Sequence, residues 1–368
     1  MDRLSISAVV AGLLFQSAAF AAPNLGATSA ATAVAAGPTV EGPVKTVSGT
    51  GVTTGPLKFN LNAYNVQVLP LDTAAGMGDG IIVGTVGGVA SVYVNGQVIP
   101  LPGKTGYSNV QPTAISSNGY IVGFGHSGTN DRGLFWSSYT SAPRDMGGLG
   151  AITHPQSVNS SGVAVGEYFS ESVYDLPTAF AFSISTGIRS IAPPYSNQSD
   201  AYSISDSGFV AGFAWYGDEQ AATRWYPGGS FAAGTAAFGN FAWKAMEDGT
   251  IFGYTVSWNP SNQATNIAPN NISLVYDISG EGRKVGTNVF ASPTRGWTVA
   301  AGSNTAEILP VPSGAINTFA TQVNGCGTIL GYATFSDGST KALLWSKLTC
   351  DFSQLYATSV NQSQLLAQ

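Results

Sequence analysis

One short pattern recurs along this chain: an aliphatic or small residue, a polar turn former, two variable residues, a glycine, three residues, and a second glycine. Four copies are clear: AISSNGYIVG (Gly119, Gly123), SVNSSGVAVG (Gly162, Gly166), SISDSGFVAG (Gly208, Gly212) and KAMEDGTIFG (Gly249, Gly253). Weaker copies are AAGMGDGIIVG (Gly80, Gly84), DISGEGRKVG (Gly282, Gly286) and QVNGCGTILG (Gly327, Gly331). The C-terminal SVNQSQLLAQ keeps Val360 and Asn361 but has lost both glycines. First glycines stand 33 to 46 residues apart, the size of one propeller blade or one two-helix repeat.

Local chemistry chooses between those two. Asn, Asp, Ser and Gly before the first glycine are turn formers that tolerate positive φ, and a β-rich run such as Tyr120-Ile121-Val122 follows it. A second β-rich run comes about 13 residues later, in RGLFW, TAFAF, AATRW and KALLW. A third follows a short turn, as in APRDMG, GIRSIAP and GQVIPLP. With the segment before each turn, that makes four strands per unit and leaves no stretch with helical periodicity. The pattern predicts an all-β chain, a β-propeller of four-stranded blades. Seven intact glycine pairs give seven blades. Residues 58–71 resemble the last two strands of a unit and the degenerate C-terminal copy the first two, so a blade split between the termini would make eight.

The ends of the chain read differently. Arg3, an apolar stretch at residues 6–15 and Ala19-Phe20-Ala21 have the form of a signal peptide over residues 1–22. Residues 23–56 are Ala, Thr, Gly, Val and Pro with almost no large side chains, a flexible leader that cannot bury enough apolar area to order itself. The repeat domain is expected over residues 57–368. No later segment is apolar for 18 residues, so membrane insertion is not expected. Only 9% of residues are charged and the net charge is -6, which gives no basic surface for nucleic acid.

AISSNGYIVGFGHSGTNDRGLFW followed by RDMGGLG resembles the extracellular HAF repeat, whose units share an Ile-Asn-x-x-Gly turn, an aromatic-ended strand and an Asp-Leu-Gly-x-Leu-Gly element. The resemblance is most specific at residues 144–150. The His that names the repeat is absent from every copy, so its role does not transfer. The resemblance implies secretion and repeated β architecture, and no reaction.

Two cysteines, Cys326 before the second strand of the last unit and Cys350 at the end of its third, come nearly opposite if the pair turns at residues 336–339. An exported chain would oxidise them to a disulfide, contributing about 3.5 kcal/mol in the chain-entropy model.

Catalytic signals are sparse. GFGHSG, with His126, lacks the closing glycine of a nucleophile elbow and precedes a strand. His154, before Pro155, reads as a connecting-segment residue. Asp131, Glu171, Asp175, Asp218, Glu219 and Asp337 belong to hairpin loops, where carboxylates are ordinarily solvated; a glycosidase pair would need two converging across about 5 to 10 Å. Glu167 is unusual, because it follows the second glycine where other copies carry Phe124, Phe213, Tyr254 and Tyr332. Glu167, Asp218 and His126 are therefore the candidate catalytic groups. No metal cluster, phosphate loop or dinucleotide fingerprint occurs, and no cofactor is expected.

Residues seven after the first glycine, His126, Phe169 and Trp215, should end equivalent strands on one rim, with Trp258 close in phase and Tyr168, Tyr174 and Tyr216 nearby. Such rings stack on sugar faces, or else cap blade interfaces. Phe169, Trp215, Tyr216 and Trp258 are the candidate ligand-binding residues. The expectation is a secreted propeller that binds an extracellular glycan or another cell-surface component; a polysaccharide hydrolase or lyase on the same scaffold, or a purely structural role, are the alternatives. Asn159, Asn197, Asn271 and Asn361 lie in Asn-x-Ser sequons.

Overall fold

The computed structural model describes the strands at 39–42 and 57–60 and residues 63–78, 80–171, 175–228, 231–233, 241–269, 274–288 and 291–347. Among these residues there is no helix. Seven four-stranded antiparallel sheets account for nearly all of residues 64–347, and they are the blades of a β-propeller. Blades 1 to 6 are continuous in sequence, at 73–100, 108–145, 152–190, 198–233, 244–266 and 274–308. The seventh joins Ala315–Val323, Ile329–Phe335 and Thr340–Lys347 to Tyr64–Val68, which pairs with Lys347 through Leu343.

Closure therefore takes one strand from the N-terminal side and three from the C-terminal side, inside the seventh blade. The count is seven, and the split of two strands from each end is corrected: Leu57–Asn60 pairs instead with Thr39–Gly42, a strand inside the segment read as a leader. The signal peptide, the copy at 359–368, Tyr174 and Cys350 lie outside the described residues.

Both glycines of each repeat have a structural reason. The first, at Gly80, Gly119, Gly162, Gly208, Gly249, Gly282 and Gly327, has φ between 72° and 87°, a region that costs an L side chain roughly 1–2 kcal/mol. The polar residue three positions earlier completes the turn: Asn159 Oδ1 accepts from the Val163 N–H at 2.9 Å, and Asn324 Oδ1 from the Thr328 N–H at 2.9 Å. The second glycine faces a carbonyl of the blade's first strand. A Cβ on Gly84, Gly212, Gly286 or Gly331 would lie 1.9 Å from that oxygen, and on Gly123 or Gly166 2.1 Å. Beside this contact, six of the first strands carry a bulge, as between Ala201 and Ser203 opposite Gly212. The extra residue turns its side chain out of the ladder.

The core lies between blades, so middle strands are covered on both faces. Val122 and Phe135 of blade 2 pack with Val158, Phe180 and Phe182 of blade 3. The tryptophan ending the third strand adds a polar tie backwards: Trp136 Nε1 donates to Pro102 O (2.9 Å), Trp225 Nε1 to Ile191 O (2.7 Å) and Trp345 Nε1 to Pro310 O (2.7 Å), each just past the preceding blade's outer strand. Arg224, fully buried in blade 4, reaches forward to Trp258 O (3.0 Å) and Asn259 O (2.7 Å) of blade 5. Across the closure, Gln322 Nε2 donates to Ala75 O at 2.9 Å.

The two glycine classes should respond differently to alanine. Gly331→Ala drives a Cβ into Phe319 O and should cost about 3 kcal/mol or more. Gly119→Ala, with open space around it, should cost only its backbone strain, about 1–2 kcal/mol. Urea unfolding of both variants checks the order; equal losses would contradict the close-approach account.

Candidate functional site

In each blade the first strand begins where the second strand ends, so these segments share one face of the propeller. Cross-strand pairing sets what meets there: Gln111 with Phe124, His154 with Glu167, Asp200 with Phe213, and Phe319 with Tyr332. The bulges add Thr113, Gln156, Tyr202, Tyr276 and Thr321.

Across blades 2, 3 and 4 these positions build a chain of ionisable groups. His126 Nδ1 lies 3.1 Å from Asp131 Oδ1, and Asp131 Oδ2 lies 3.1 Å from His154 Nε2. His154 Nδ1 is 3.9 Å from Glu167 Oε1. Asp200 of blade 4 is buried close to Glu167 and Tyr202, and Gln156 Nε2 is 3.5 Å from Asp200 Oδ2. The chain contains both histidines of the sequence.

The electrostatics follow from burial and neighbours. Burial opposes a charge on His154, but hydrogen bonds to Asp131 and Glu167 and the two carboxylate charges override it and raise its pKa to about 9. His154 is therefore cationic at neutral pH. Asp131 is held below the ordinary carboxylate value, chiefly by its hydrogen bond to His154. Asp200 is pushed well above it by burial and by the charge of Glu167.

Blades 4 to 7 continue the face with half-buried rings. Trp243 lies 4.4 Å from Tyr202 and 4.9 Å from Tyr254, Phe241 packs at 5.4 Å against Trp243, Tyr254 meets Tyr276 edge-on at 6.0 Å, and Phe319 stacks on Tyr332 at 4.5 Å. Burial raises the phenols of Tyr202, Tyr254 and Tyr276, and takes Tyr332 to about 12, so all remain hydroxyl donors. The buried Trp243 Nε1 has no hydrogen-bond partner. A depression of about 170 Å³ between blades 5 and 6 is lined by Trp243, Lys244, Tyr276 and Asp277, and is smaller than a usual small-molecule pocket.

Of the sequence candidates, Glu167 and His126 fall within the ionisable chain. Asp218 does not: it is exposed at the turn after Val210–Tyr216. Trp215 and Tyr216 end that strand half-buried on this face. Phe169 ends the equivalent strand of blade 3 but is buried. Trp258 is on a third strand, equivalent to Trp225 and Trp345, and 1% exposed in the interior, so its phase is corrected and its ring is a packing element. Cys326 is exposed in the turn before Ile329–Phe335; its pairing with Cys350 falls outside the described residues. Sequence reading passed over His154 as a site residue and missed Asp200 and Tyr202. The signal was the period itself, since Asp200 occupies in its repeat the place of His154. Among the described residues no group of three or more His, Cys, Asp or Glu is arranged to hold a metal ion.

No protein-family model matches this chain, and no curated protein does. Solved structures resemble it at the level of fold. One titled YCF48 bound to D1 peptide is 13% identical, covering 77% of this chain and 97% of its own, with a TM-score of 0.48. YCF48 from Cyanidioschyzon merolae is 10% identical over 77% and 99% of the two chains, with a TM-score of 0.49. The propeller domain of the Trilobed protease from Pyrococcus furiosus is 9% identical over 80% and 100%, with a TM-score of 0.45. Likenesses this distant carry no functional argument.

The chain of charges makes stability fall with rising pH. His154 has a folded value of about 9 against 6.5 ordinarily, so its stabilisation is complete below about 6.5 and is lost as pH rises through 9. Asp200 acts in the same direction, because the folded state retains a proton that the unfolded chain releases above 3.8. Unfolding free energy should decline between pH 6.5 and 9, and His154→Gln should flatten that decline. Asp200→Asn, which is neutral without taking up a proton, should raise stability at pH 7 by about 1 kcal/mol. Denaturant titrations across pH test both; a flat wild-type profile would contradict the assignment.

Proposed function

We propose that this chain is an exported propeller that binds extracellular glycan on the face where its first strands begin. The supporting observation is the row of half-buried rings from Tyr202 through Trp243, Tyr254 and Tyr276 to Tyr332. Flat rings stack on sugar faces, while phenol hydroxyls that stay protonated donate to and accept from sugar hydroxyls. Export is supported by the signal-like residues 1–22 and the HAF-repeat resemblance. No helix among the described residues is long and apolar enough to cross a membrane.

A glycan-degrading enzyme is the second reading, favoured by the Glu167 and Asp200 pair. Their burial argues for the binder: at 8% and 3% exposure, Glu167 and Asp200 leave no room for the sugar or water that glycoside hydrolysis places between its carboxyls.

A glycan panel scored for retention and for new reducing or unsaturated ends should show retention without products. Trp215→Ala, at the half-buried rim, should weaken retention at least about tenfold with little change in melting temperature. A variant that still binds but loses about 3 to 5 kcal/mol of stability would assign Trp215 to packing and overturn its role in binding.

A further inference from the structure

Among the described residues, four that are not glycine have a left-handed backbone, and three of these, Asn95, Asn109 and Asn262, are of the type that tolerates it. The fourth is Tyr195, at φ 63°. It is the third residue of the turn Pro193-Pro194-Tyr195-Ser196, closed by the Ser196 N–H on Pro193 O at 3.2 Å. Proline at the second position and positive φ at the third define a type II turn, whose third residue is ordinarily glycine or asparagine. A bulky side chain there strains the backbone, and packing does not compensate, because Tyr195 is 97% exposed. Strain of this kind persists where the surroundings fix it, and it collects at ligand-contacting loops.

The surroundings do fix it. The Ser196 hydroxyl also donates to Pro193 O (2.6 Å). Beyond the turn, the Asn197 N–H donates to Trp215 O (3.0 Å) and Asn197 Nδ2 to Gly217 O (3.3 Å), while the Ser199 N–H donates to Pro177 O (2.9 Å). The connector carrying Tyr195 is thereby tied to the hairpins of blades 3 and 4, on the face where the first strands begin. Trp215 ends the strand that carries Phe213, whose ring lies 5.8 Å from Tyr202 and 6.3 Å from Phe241, so aromatic groups run from this lip to the ring row. Leu176, 52% exposed, adds apolar surface on the blade 3 side.

Formal charge on the lip has one sign. The blade 3 hairpin carries Glu171 and Asp175 and the blade 4 hairpin Asp218 and Glu219. These two blades contain no lysine, and of their two arginines Arg224 is buried and Arg189 lies on the outer strand Gly187–Ser190. A polyanion crossing Tyr195 would be repelled, whereas a neutral sugar would pack its C–H face on the ring without that cost.

We infer that Tyr195 is a glycan-contact residue, the outermost stacking platform of the site, over which an uncharged chain leaves the face between blades 3 and 4. The inference rests on the glycan-binding reading and adds to it a binding residue and the exclusion of acidic polysaccharides. The strained turn holds a ring in solvent in one orientation, which lowers the ordering a ligand must impose when it binds.

Titration with hexamers of neutral sugars (β-1,4- and β-1,3-linked glucose, xylose and mannose) and of acidic ones (mannuronate and galacturonate) tests this. The wild type should bind at least one neutral hexamer, and each acidic hexamer about tenfold or more weakly. Tyr195→Asn, which relieves the strain as the three asparagines do, should lower affinity for that neutral hexamer about tenfold while the melting temperature stays level or rises by about 1 to 3 °C. Tyr195→Phe, which keeps the ring, should keep the affinity. Unchanged affinity in Tyr195→Asn, an equal loss in Tyr195→Phe, or an acidic hexamer bound as tightly as the neutral one would overturn the inference. So would a Tyr195→Asn variant that fails to fold or melts several degrees lower, since Tyr195 would then be a packing residue. Those outcomes leave the glycan-binding reading standing; a wild type that binds none of the hexamers overturns both, as it would if the lip docks a protein instead.

Discussion

The approach of a first-strand carbonyl to the second glycine of each repeat is the contact on which the blades depend. Without a Cβ at Gly84, Gly212, Gly286 or Gly331, the first strand can press its backbone against the second and take up a bulge there. The bulge strengthens twist and sends an extra side chain out of the ladder. Both results are used: twisted sheets pack face to face around an axis, and the extra side chains, Gln156, Tyr202 and Tyr276 among them, furnish the candidate site. Blade 5 shows the converse. At Gly253 the approach relaxes to 2.8 Å, and its first two strands shrink to Lys244–Ala245 and Ile251–Phe252.

That dependence explains what the sequence made legible. Steric demands repeat with the fold, so glycines, turn-capping Ser or Asn and third-strand tryptophans recur at fixed phase and can be aligned by eye. Chemistry does not repeat. His154, Asp200 and Phe319 occupy one structural position in three blades, but His154 meets Glu167 within its own blade whereas Asp200, paired with Phe213, approaches Glu167 from the next blade, which no repeat alignment shows. Trp258 was misplaced for a related reason: its blade is the shortest, so counting from Gly249 ran past the hairpin into the third strand. The closing strand was legible as a strand, while its single contribution to blade 7 depended on Leu57–Asn60 pairing elsewhere.

The carboxyl pair is hard to explain by stability. Removing two carboxyls from water is costly, and an apolar pair of similar volume would serve the blade interface at least as well. Elsewhere the interfaces use mostly apolar clusters, with few charged members such as Arg224, whose guanidinium is spread over the carbonyls of Trp258 and Asn259. A chain that keeps its charged content to 9% yet concentrates both histidines and three carboxylates along one line across three blades has placed them against the energetic gradient. Such local departures from the economy of the fold are where function is ordinarily found.

The scaffold is a near-regular ring, but the face it carries is not. Blades 2 to 4 contribute the histidines and their carboxylates, blades 4 to 7 contribute rings, and blade 1 contributes Thr73 and Thr85, hydrogen-bonded to each other at 2.7 Å, beside Asp72, which pairs with Lys341 of blade 7. Tyr202 belongs to both halves, since it lies beside Asp200 while its ring lies 4.4 Å from Trp243. A compact ligand could occupy one half alone. An extended one lying across the face would meet rings along one half and the charged groups of blades 2 to 4 along the other. Closure through Tyr64–Val68 matters here because the distance between the two halves is fixed only while the ring is shut.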